Sequence, residues 1–167
     1  GCEAAWQAAK RGISVRLFEM RPVKQTGAHS SGDLAELVCS NSLGSTLPDR
    51  ASGLLKAEIK RLGSLLLECA EETAVPAGTA LAVDRKAFSA QILRRLSENP
   101  NIQITREEIT SIPENPCIIA SGPLTSPALS KSLADFTGQD HLFFYDAIAP
   151  IIDAGTINTD IAFKASR

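Results

Sequence analysis

The sequence is poor in aromatic residues and lacks long apolar runs. Aromatic side chains make up 5% of the 167 residues, with one Trp and one Tyr, which disfavours a surface that stacks single-stranded bases. No apolar run of about 18 residues or more occurs, so we predict no membrane-spanning helix. The formal net charge is −2. This value excludes a global basic field for nucleic acid, although it leaves room for a local basic patch.

Cysteine and histidine are too few and too scattered for an obvious metal site. Cys2, Cys39, Cys69 and Cys117 form no CxxC pair, and neither histidine has a ligand partner at a useful spacing, so we predict no metal. Both histidines are expected at the surface. Cys69 and Cys117 stand in apolar runs and are expected to be buried. This cysteine usage favours a reducing, cytoplasmic compartment.

Cys39 stands in a different context from the other cysteines. Residues 36–42 read Glu-Leu-Val-Cys-Ser-Asn-Ser, so three small polar residues follow the thiol directly. Polar donors near a thiol favour the thiolate, which is its nucleophilic form. We therefore predict that Cys39 faces a site and is catalytic, with an unreactive thiol as the alternative.

Residues 1–19 have the pattern of the second half of a dinucleotide-binding βαβ unit. An Ala-rich helix is predicted before Gly12, and alternating apolar residues then predict a strand that ends at Glu19. In such units the acid lies about 20 residues after the glycine fingerprint and binds the ribose hydroxyls. The spacing fits if Gly1 is the last fingerprint glycine. The first strand and earlier glycines are missing, so we expect an internal piece of a longer protein, with a small complete domain as the alternative.

Helical and strand patterns alternate through the rest of the sequence. Helices are predicted at 53–73, at 85–97 and from Thr125 or Ser126 to about Thr137, and strands at 80–83, 102–105, 108–112 and 117–120. Asp84 can cap the second of these helices, and Gly138 can close the last. In the apolar and aromatic segment 141–152, Phe143, Phe144 and Tyr145 are expected to serve packing, and Asp146 is a candidate to line a site. The following charged residues are expected to be solvated: Arg94, Arg95, Arg106, Glu107 and Glu108.

A second glycine turn follows the strand predicted at 117–120. Ala120, Ser121 and Gly122 form a small-small-Gly sequence, and glycine lets the backbone approach a ligand closely. Ligands of doubly wound sheets bind at the carboxyl ends of the strands. Because Glu19 and Gly122 would share one sheet edge, we predict a ligand there. An ordinary strand-to-helix turn is the alternative.

Several segments resemble the bacterial folate- and FAD-dependent tRNA (uracil-5-)-methyltransferases, which are related to a flavoprotein subunit that modifies wobble uridine. The segments are 19–22, 35–43, 53–56, 74–78, 80–85 and 122–129. The resemblance runs through nearly the whole chain. It implies an α/β fold: a partial FAD-binding Rossmann-like domain of the glutathione-reductase type without its first strand, plus part of an inserted α+β domain. A helical insertion is expected at about 35–80.

The resemblance also implies a reaction and its participants. Family members methylate C5 of the T-loop uridine in tRNA with 5,10-methylenetetrahydrofolate as carbon donor and FAD, recharged by NAD(P)H, as reductant. The implied cofactor-binding residues are Gly1 at the pyrophosphate turn, Glu19 at the adenosine ribose, Met20 and Arg21 beside it, and Ala120, Ser121 and Gly122. Cys39 matches a family cysteine that is linked to methyl transfer. Its part in that step stays open between attack on uracil, acid–base catalysis and tuning of the flavin.

The sequence departs from the family pattern at two places. His29 is followed by Ser30 and Ser31 rather than by the commoner His-Thr, and Gly44 replaces an arginine. The isolated piece is expected to be inactive.

Two alternative functions remain open. One alternative is an FAD-dependent tRNA wobble-uridine modification protein that assembles with a GTPase. The other is a non-catalytic α/β module, and the sequence predicts no oligomeric state.

Overall fold

The computed structural model describes residues 1–139 and 153–162. Its helices are α1 (Cys2–Ala9), α2 (Ala51–Arg61), α3 (Leu65–Glu72), α4 (Arg85–Ser97) and α5 (Pro127–Thr137). Its strands are β1 (Val15–Glu19), β2 (Ser42–Ser45), β3 (Ala74–Val75), β4 (Ala80–Val83) and β5 (Ile102–Arg106). The apolar segment 141–152, with the packing and site expectations placed on it, lies outside the described residues. Within the described part, no helix has the length and apolar character needed to cross a membrane.

A parallel strand pair forms the centre of the predicted Rossmann-like part. β1 pairs with β5 from Val15 opposite Ile102 to Glu19 opposite Arg106. Gly12 supplies the positive φ of 79° in the turn between α1 and β1, a conformation that glycine adopts without steric cost. Because parallel strands end at the same edge, Glu19 and Arg106 stand side by side there. This arrangement confirms the predicted α/β fold class.

A second, antiparallel sheet has the strand order β2-β4-β3. Its central strand β4 is buried along Leu81, Ala82 and Val83, as expected for a strand with neighbours on both sides. The region predicted as a helical insertion, about 35–80, therefore contains strands β2 and β3 as well as helices α2 and α3. Its standing as a separate insertion stays a prediction.

The core joins the two sheets through α3 and α4. Phe88, Ile92 and Leu96 form one stripe of α4 and are at most 3% exposed. Asp84 caps this helix as predicted, because its Oδ1 accepts hydrogen bonds from Lys86 N and Ala87 N at 3.0 Å each. The predicted burial of Cys69 is also confirmed, at 0% exposure.

The single helix predicted at 53–73 is wrong, since the structure divides it into α2 and α3. Gly63 has a φ of +68°, which ends the first helix. Ser64 then caps α3, where its Oγ accepts a hydrogen bond from Leu67 N at 3.2 Å. The Glu3 carboxylate accepts three more bonds, from Ser64 Oγ at 2.9 Å, from Leu66 N at 3.0 Å and from Leu65 N at 3.3 Å. A partner from α1 therefore stabilises the new helix start.

The strands predicted at 108–112 and 117–120 are wrong as well. Both segments are irregular in the structure, and Ile118 is 73% exposed. An apolar run becomes a strand when a neighbouring strand satisfies its backbone groups, and among the described residues β5 pairs with β1 alone. The expectation that Cys117 is buried fails for the same reason, because its thiol lies on an exposed, unpaired segment.

Candidate functional site

The carboxyl edge of the parallel pair brings together the start of α1 and the end of β1. A Cβ atom built on Gly1 would lie 3.4 Å from Cδ1 of Leu17. Leu17 belongs to β1 and stands two residues before Glu19. Burial raises the pKa of the neighbouring Cys2 thiol, and the negative charge of Glu19 raises it further. Gly1 and Glu19 thus lie at one edge, the arrangement that the sequence predicts.

Arg21 holds the Glu19 carboxylate by a two-pronged ion pair. Its Nε donates to Glu19 Oε1 and its Nη2 donates to Glu19 Oε2, both at 2.9 Å. The backbone N–H of Arg21 also donates to Oε1 at 3.0 Å. Burial alone would raise the pKa of Glu19, but these hydrogen bonds and the nearby guanidinium groups lower it. Glu19 is therefore a fixed carboxylate at neutral pH.

Glu36 binds the remaining side of Arg21. Arg21 Nη1 donates to Glu36 Oε2 at 2.9 Å, and Ser30 and Ser31 each donate to the same carboxylate from backbone N–H and hydroxyl. Burial opposes ionisation of Glu36, yet the hydrogen bonds from the two serines lower its pKa to about 2. Sequence reasoning missed this residue, since no helix or strand periodicity connects a loop glutamate to an arginine 15 positions away.

The expectation that Arg106 is simply solvated is wrong. Its Nη1 donates to the carbonyl oxygens of Arg21 at 3.0 Å and Gly32 at 2.6 Å. The end of β5 therefore fixes the loop that follows β1. Glu108 is also engaged, because it accepts a hydrogen bond from Lys24 Nζ at 2.7 Å.

A cavity of about 220 Å³ separates the loop after β1 from the turn after Gly122. Its lining consists of Met20, Lys24, Gln25 and Thr26 on one side and residues 123–127 on the other. Gly122 has a φ of +63°, and its carbonyl oxygen accepts a hydrogen bond from Thr125 Oγ1 at 2.7 Å. Ala120, Ser121 and Gly122 are exposed. The turn thus stands beside Met20, although the strand predicted before it is absent.

Cys39 lies on a loop that is held at both ends. Leu37 packs against the core, while Asn41 Nδ2 donates to Val83 O at 3.1 Å and Asn41 O accepts from Val83 N at 3.0 Å. The Cys39 thiol between them is exposed. Its link to the Glu19 edge runs through Glu36, which is three residues earlier in the chain and binds Arg21.

His29 is half-buried rather than at the surface. Its Nδ1 lies 2.6 Å from Thr26 Oγ1, and burial, together with the charge of Arg21, lowers its pKa. Across residues 1–139 and 153–162, no group of three His, Cys, Asp or Glu side chains is arranged to hold a metal ion.

The edge meets the requirements of a dinucleotide at two separate points. Gly1 caps α1 without a side-chain hydrogen bond, so the first-turn N–H groups remain available to a phosphate. Glu19 Oε2 accepts one hydrogen bond from Arg21, which leaves it a further acceptor position for a ribose hydroxyl. The Glu19 side chain is 18% exposed, so it is not sealed from solvent. The residues present fit the adenosine diphosphate half of FAD.

Comparisons with known proteins identify the family to which the chain belongs. Residues 1–167 match the family described as glucose inhibited division protein A. The methylenetetrahydrofolate–tRNA-(uracil-5-)-methyltransferase TrmFO of Heliobacterium modesticaldum is 56% identical over 168 residues, which cover 100% of this chain and 38% of the relative. The TrmFO protein of Bacillus subtilis is 53% identical over 167 residues, with the same two coverages. The chain therefore spans 38% of the length of these curated relatives.

Proposed function

Because the chain belongs to the glucose inhibited division protein A family, we propose that it forms part of an FAD- and folate-dependent tRNA (uracil-5-)-methyltransferase. The main support is the 53% and 56% identity to relatives that carry this name. The edge formed by Gly1 and Glu19 supports the flavin part of the proposal independently. We further propose the T-loop uridine as the methylated base and the cytoplasm as the compartment, which suits four unpaired cysteines.

The residues of this edge bind and orient the cofactor in the proposed enzyme. The N–H groups at the start of α1 bind the pyrophosphate, and Glu19 accepts hydrogen bonds from the ribose hydroxyls. Met20 and residues 123–127, which follow the turn at Ala120, Ser121 and Gly122, line a neighbouring cavity. When bound, FAD supplies the electrons that reduce the transferred one-carbon unit to a methyl group. We propose NAD(P)H as the source of those electrons.

Cys39 is proposed to act on the uracil ring. C5 of uracil is a poor nucleophile, and addition of a thiolate at C6 gives C5 the enolate character needed to attack an electrophilic carbon. Loss of the C5 proton and expulsion of the thiolate then restore the C5–C6 double bond, which frees the cysteine and releases the C5 hydrogen to solvent. The target base must leave its stack before a protein group reaches it. The exposed position of the Cys39 thiol leaves space for a large RNA substrate.

The test measures tritium release from C5-labelled uridine in tRNA, in full-length protein supplied with methylenetetrahydrofolate. Cys39→Ala is expected to abolish the release, whereas Cys117→Ala, a change at the other exposed cysteine, is expected to preserve it. Unchanged release from the Cys39 variant would refute its catalytic role. Unaltered protein that shows neither flavin absorbance nor folate-dependent release would refute the methyltransferase itself.

A second candidate is modification of the wobble uridine, because the resemblance of the sequence extends to the related flavoprotein that modifies that base. Two tRNA substrates separate the candidates, one with the T-loop uridine replaced by cytidine and one with the wobble uridine replaced. We expect the T-loop replacement to abolish methylation. Loss with the wobble replacement alone would favour the second candidate.

A further inference from the structure

The end of β1 contains a buried cation between two acids. Arg21 is 4% exposed, and among the residues that the structure describes it is the one charged residue in the buried class. Burying a guanidinium is costly unless its N–H groups are paired. Arg21 meets this requirement with three side-chain hydrogen bonds to carboxylates, each 2.9 Å long.

The geometry of these bonds determines what Arg21 is able to do. Nε and Nη2 form a planar fork that binds both oxygens of Glu19, which fixes the plane of that carboxylate. Nη1 points away from Glu19 and binds Glu36. Since the Arg21 side chain is only 5% exposed, it has little surface to offer a ligand directly. Its influence on a ligand runs through Glu19.

Glu36 in turn is held by donors of its own. Ser30 Oγ donates to Oε1 at 2.7 Å and Ser31 Oγ donates to Oε2 at 3.0 Å. Arg106 fastens the same loop through the Gly32 carbonyl oxygen at 2.6 Å. The Arg21 guanidinium therefore lies between the Glu36 carboxylate, which the loop holds, and the Glu19 carboxylate at the end of β1.

We propose that Arg21 is a positioning residue that orients the Glu19 carboxylate for the ribose hydroxyls of the cofactor, and that Glu36 fixes Arg21 in this position. The inference rests on the proposed function, because it takes FAD as the ligand at the Gly1 and Glu19 edge. It differs from the sequence-based expectation that Arg21 itself belongs to the cofactor-binding set. Glu36 joins the site through this arrangement.

The experiment compares two ligands on full-length protein. One is FAD, and the other is an FAD analogue whose adenosine ribose lacks both hydroxyls. Dissociation constants are measured by flavin fluorescence for unaltered protein, Arg21→Lys and Glu36→Gln. Lys60→Met serves as the control, because it removes an exposed ion pair of similar length, 2.8 Å, on α2.

Arg21→Lys is expected to weaken FAD binding on the order of tenfold, because a lysine cannot hold both carboxylate oxygens in a planar fork. Glu36→Gln is expected to weaken it about threefold, since an amide oxygen accepts from the guanidinium less strongly than a carboxylate. Both variants are expected to bind the dehydroxylated analogue about as well as unaltered protein does. Lys60→Met is expected to leave both dissociation constants unchanged.

A purely structural role predicts a different pattern, in which each variant weakens both ligands by the same factor, and that result would overturn the inference. Should Arg21→Lys fail to fold, the Glu36→Gln comparison decides alone. Unaltered protein that binds both ligands equally would also overturn the inference while leaving a flavoprotein intact. Unaltered protein that binds neither ligand would instead contradict the proposed function, and this inference with it.

Discussion

Met20, which follows Glu19, and Pro123, which follows Gly122, line the same cavity, but different interactions hold the Glu19 side and the Gly122 side. Glu19 is fixed by Arg21, two positions later in the chain. Arg21 is held in turn by Glu36 and Arg106, which lie 15 and 85 positions away from it. The Gly122 turn is held by a hydroxyl of its own neighbour, through the 2.7 Å bond from Thr125 Oγ1 to its carbonyl oxygen. One side of the site depends on tertiary contacts among charges, and the other on local geometry.

This difference has an energetic consequence. Charges with low exposure interact strongly and cost much free energy when one partner is lost, whereas an exposed turn contributes little beyond its own backbone preference. Mutations and pH changes on the Glu19 side are therefore expected to alter the free energy of unfolding strongly. Changes on the Gly122 side are expected to alter it weakly. Four predictions test this contrast, in order of decreasing effect on the free energy of unfolding.

Arg21→Met is expected to have the largest effect. It leaves the Glu19 and Glu36 carboxylates without the cation that joins them, at side-chain exposures of 18% and 13%. Removing one partner of such a buried network costs about 3–5 kcal/mol of unfolding free energy. Urea denaturation checks this value, with Lys60→Met as control, because its exposed ion pair is worth about 1 kcal/mol or less. Equal losses in the two variants would contradict the contrast.

Acid sensitivity is expected to come next. The pKa of Glu36 is lowered from 4.5 to about 2 in the folded protein, so its contribution to stability is present above the unfolded value and is lost as pH falls toward 2. Glu36→Gln is expected to lower stability at pH 7 and to flatten the decline between about pH 5 and pH 3. Urea midpoints at several pH values measure both effects. Glu114→Gln, a change at an exposed loop residue, is expected to leave the decline as it is in unaltered protein.

The parts of the fold that depend on short-range patterns are the parts that the sequence predicts well. The Asp84 cap and the apolar stripe of α4 are both contained within one helix, and the alternation up to Glu19 is contained within one strand. The helix break at Gly63 and Ser64 is different. Its stabilising partner is Glu3, which lies 61 positions before Ser64, so helical spacing alone extends the pattern through the break.

The site divides in the same way. Gly1 and Glu19 are predictable because the βαβ connection fixes their spacing. Glu36 and Arg106 join them through loop contacts, and a charged residue in a loop has the same sequence signature whether it is solvated or buried. The segment 117–120 is apolar enough for a strand, but its structure depends on whether another strand pairs with it, which local composition does not specify.

Gly122→Ala tests the weaker side of the contrast. A Cβ at this position would have no heavy atom within 4 Å, so the cost is that of a positive φ of 63° alone, roughly 1 kcal/mol. Gly27→Ala is the matched control, because it also has nothing within 4 Å and no positive φ. Chemical denaturation of both variants is expected to separate them by this amount. A loss at Gly122 as large as that of Arg21→Met would show that the turn also depends on tertiary contacts.

Cys39→Ala is expected to have the smallest effect, within about 0.5 kcal/mol, because an exposed side chain outside a cap or a network contributes little to stability. Cys69→Ala provides the contrast, since its side chain is 0% exposed and burial raises its thiol pKa to about 11. Iodoacetamide labelling, read by peptide mass spectrometry, is expected to modify Cys39 in the folded protein and Cys69 only after unfolding. Because Cys39→Ala is expected to preserve the stability of the fold, any loss of tritium release in this variant is due to the missing thiol. A Cys39 that resists alkylation in the folded protein would contradict the exposure on which its proposed reaction with uracil depends.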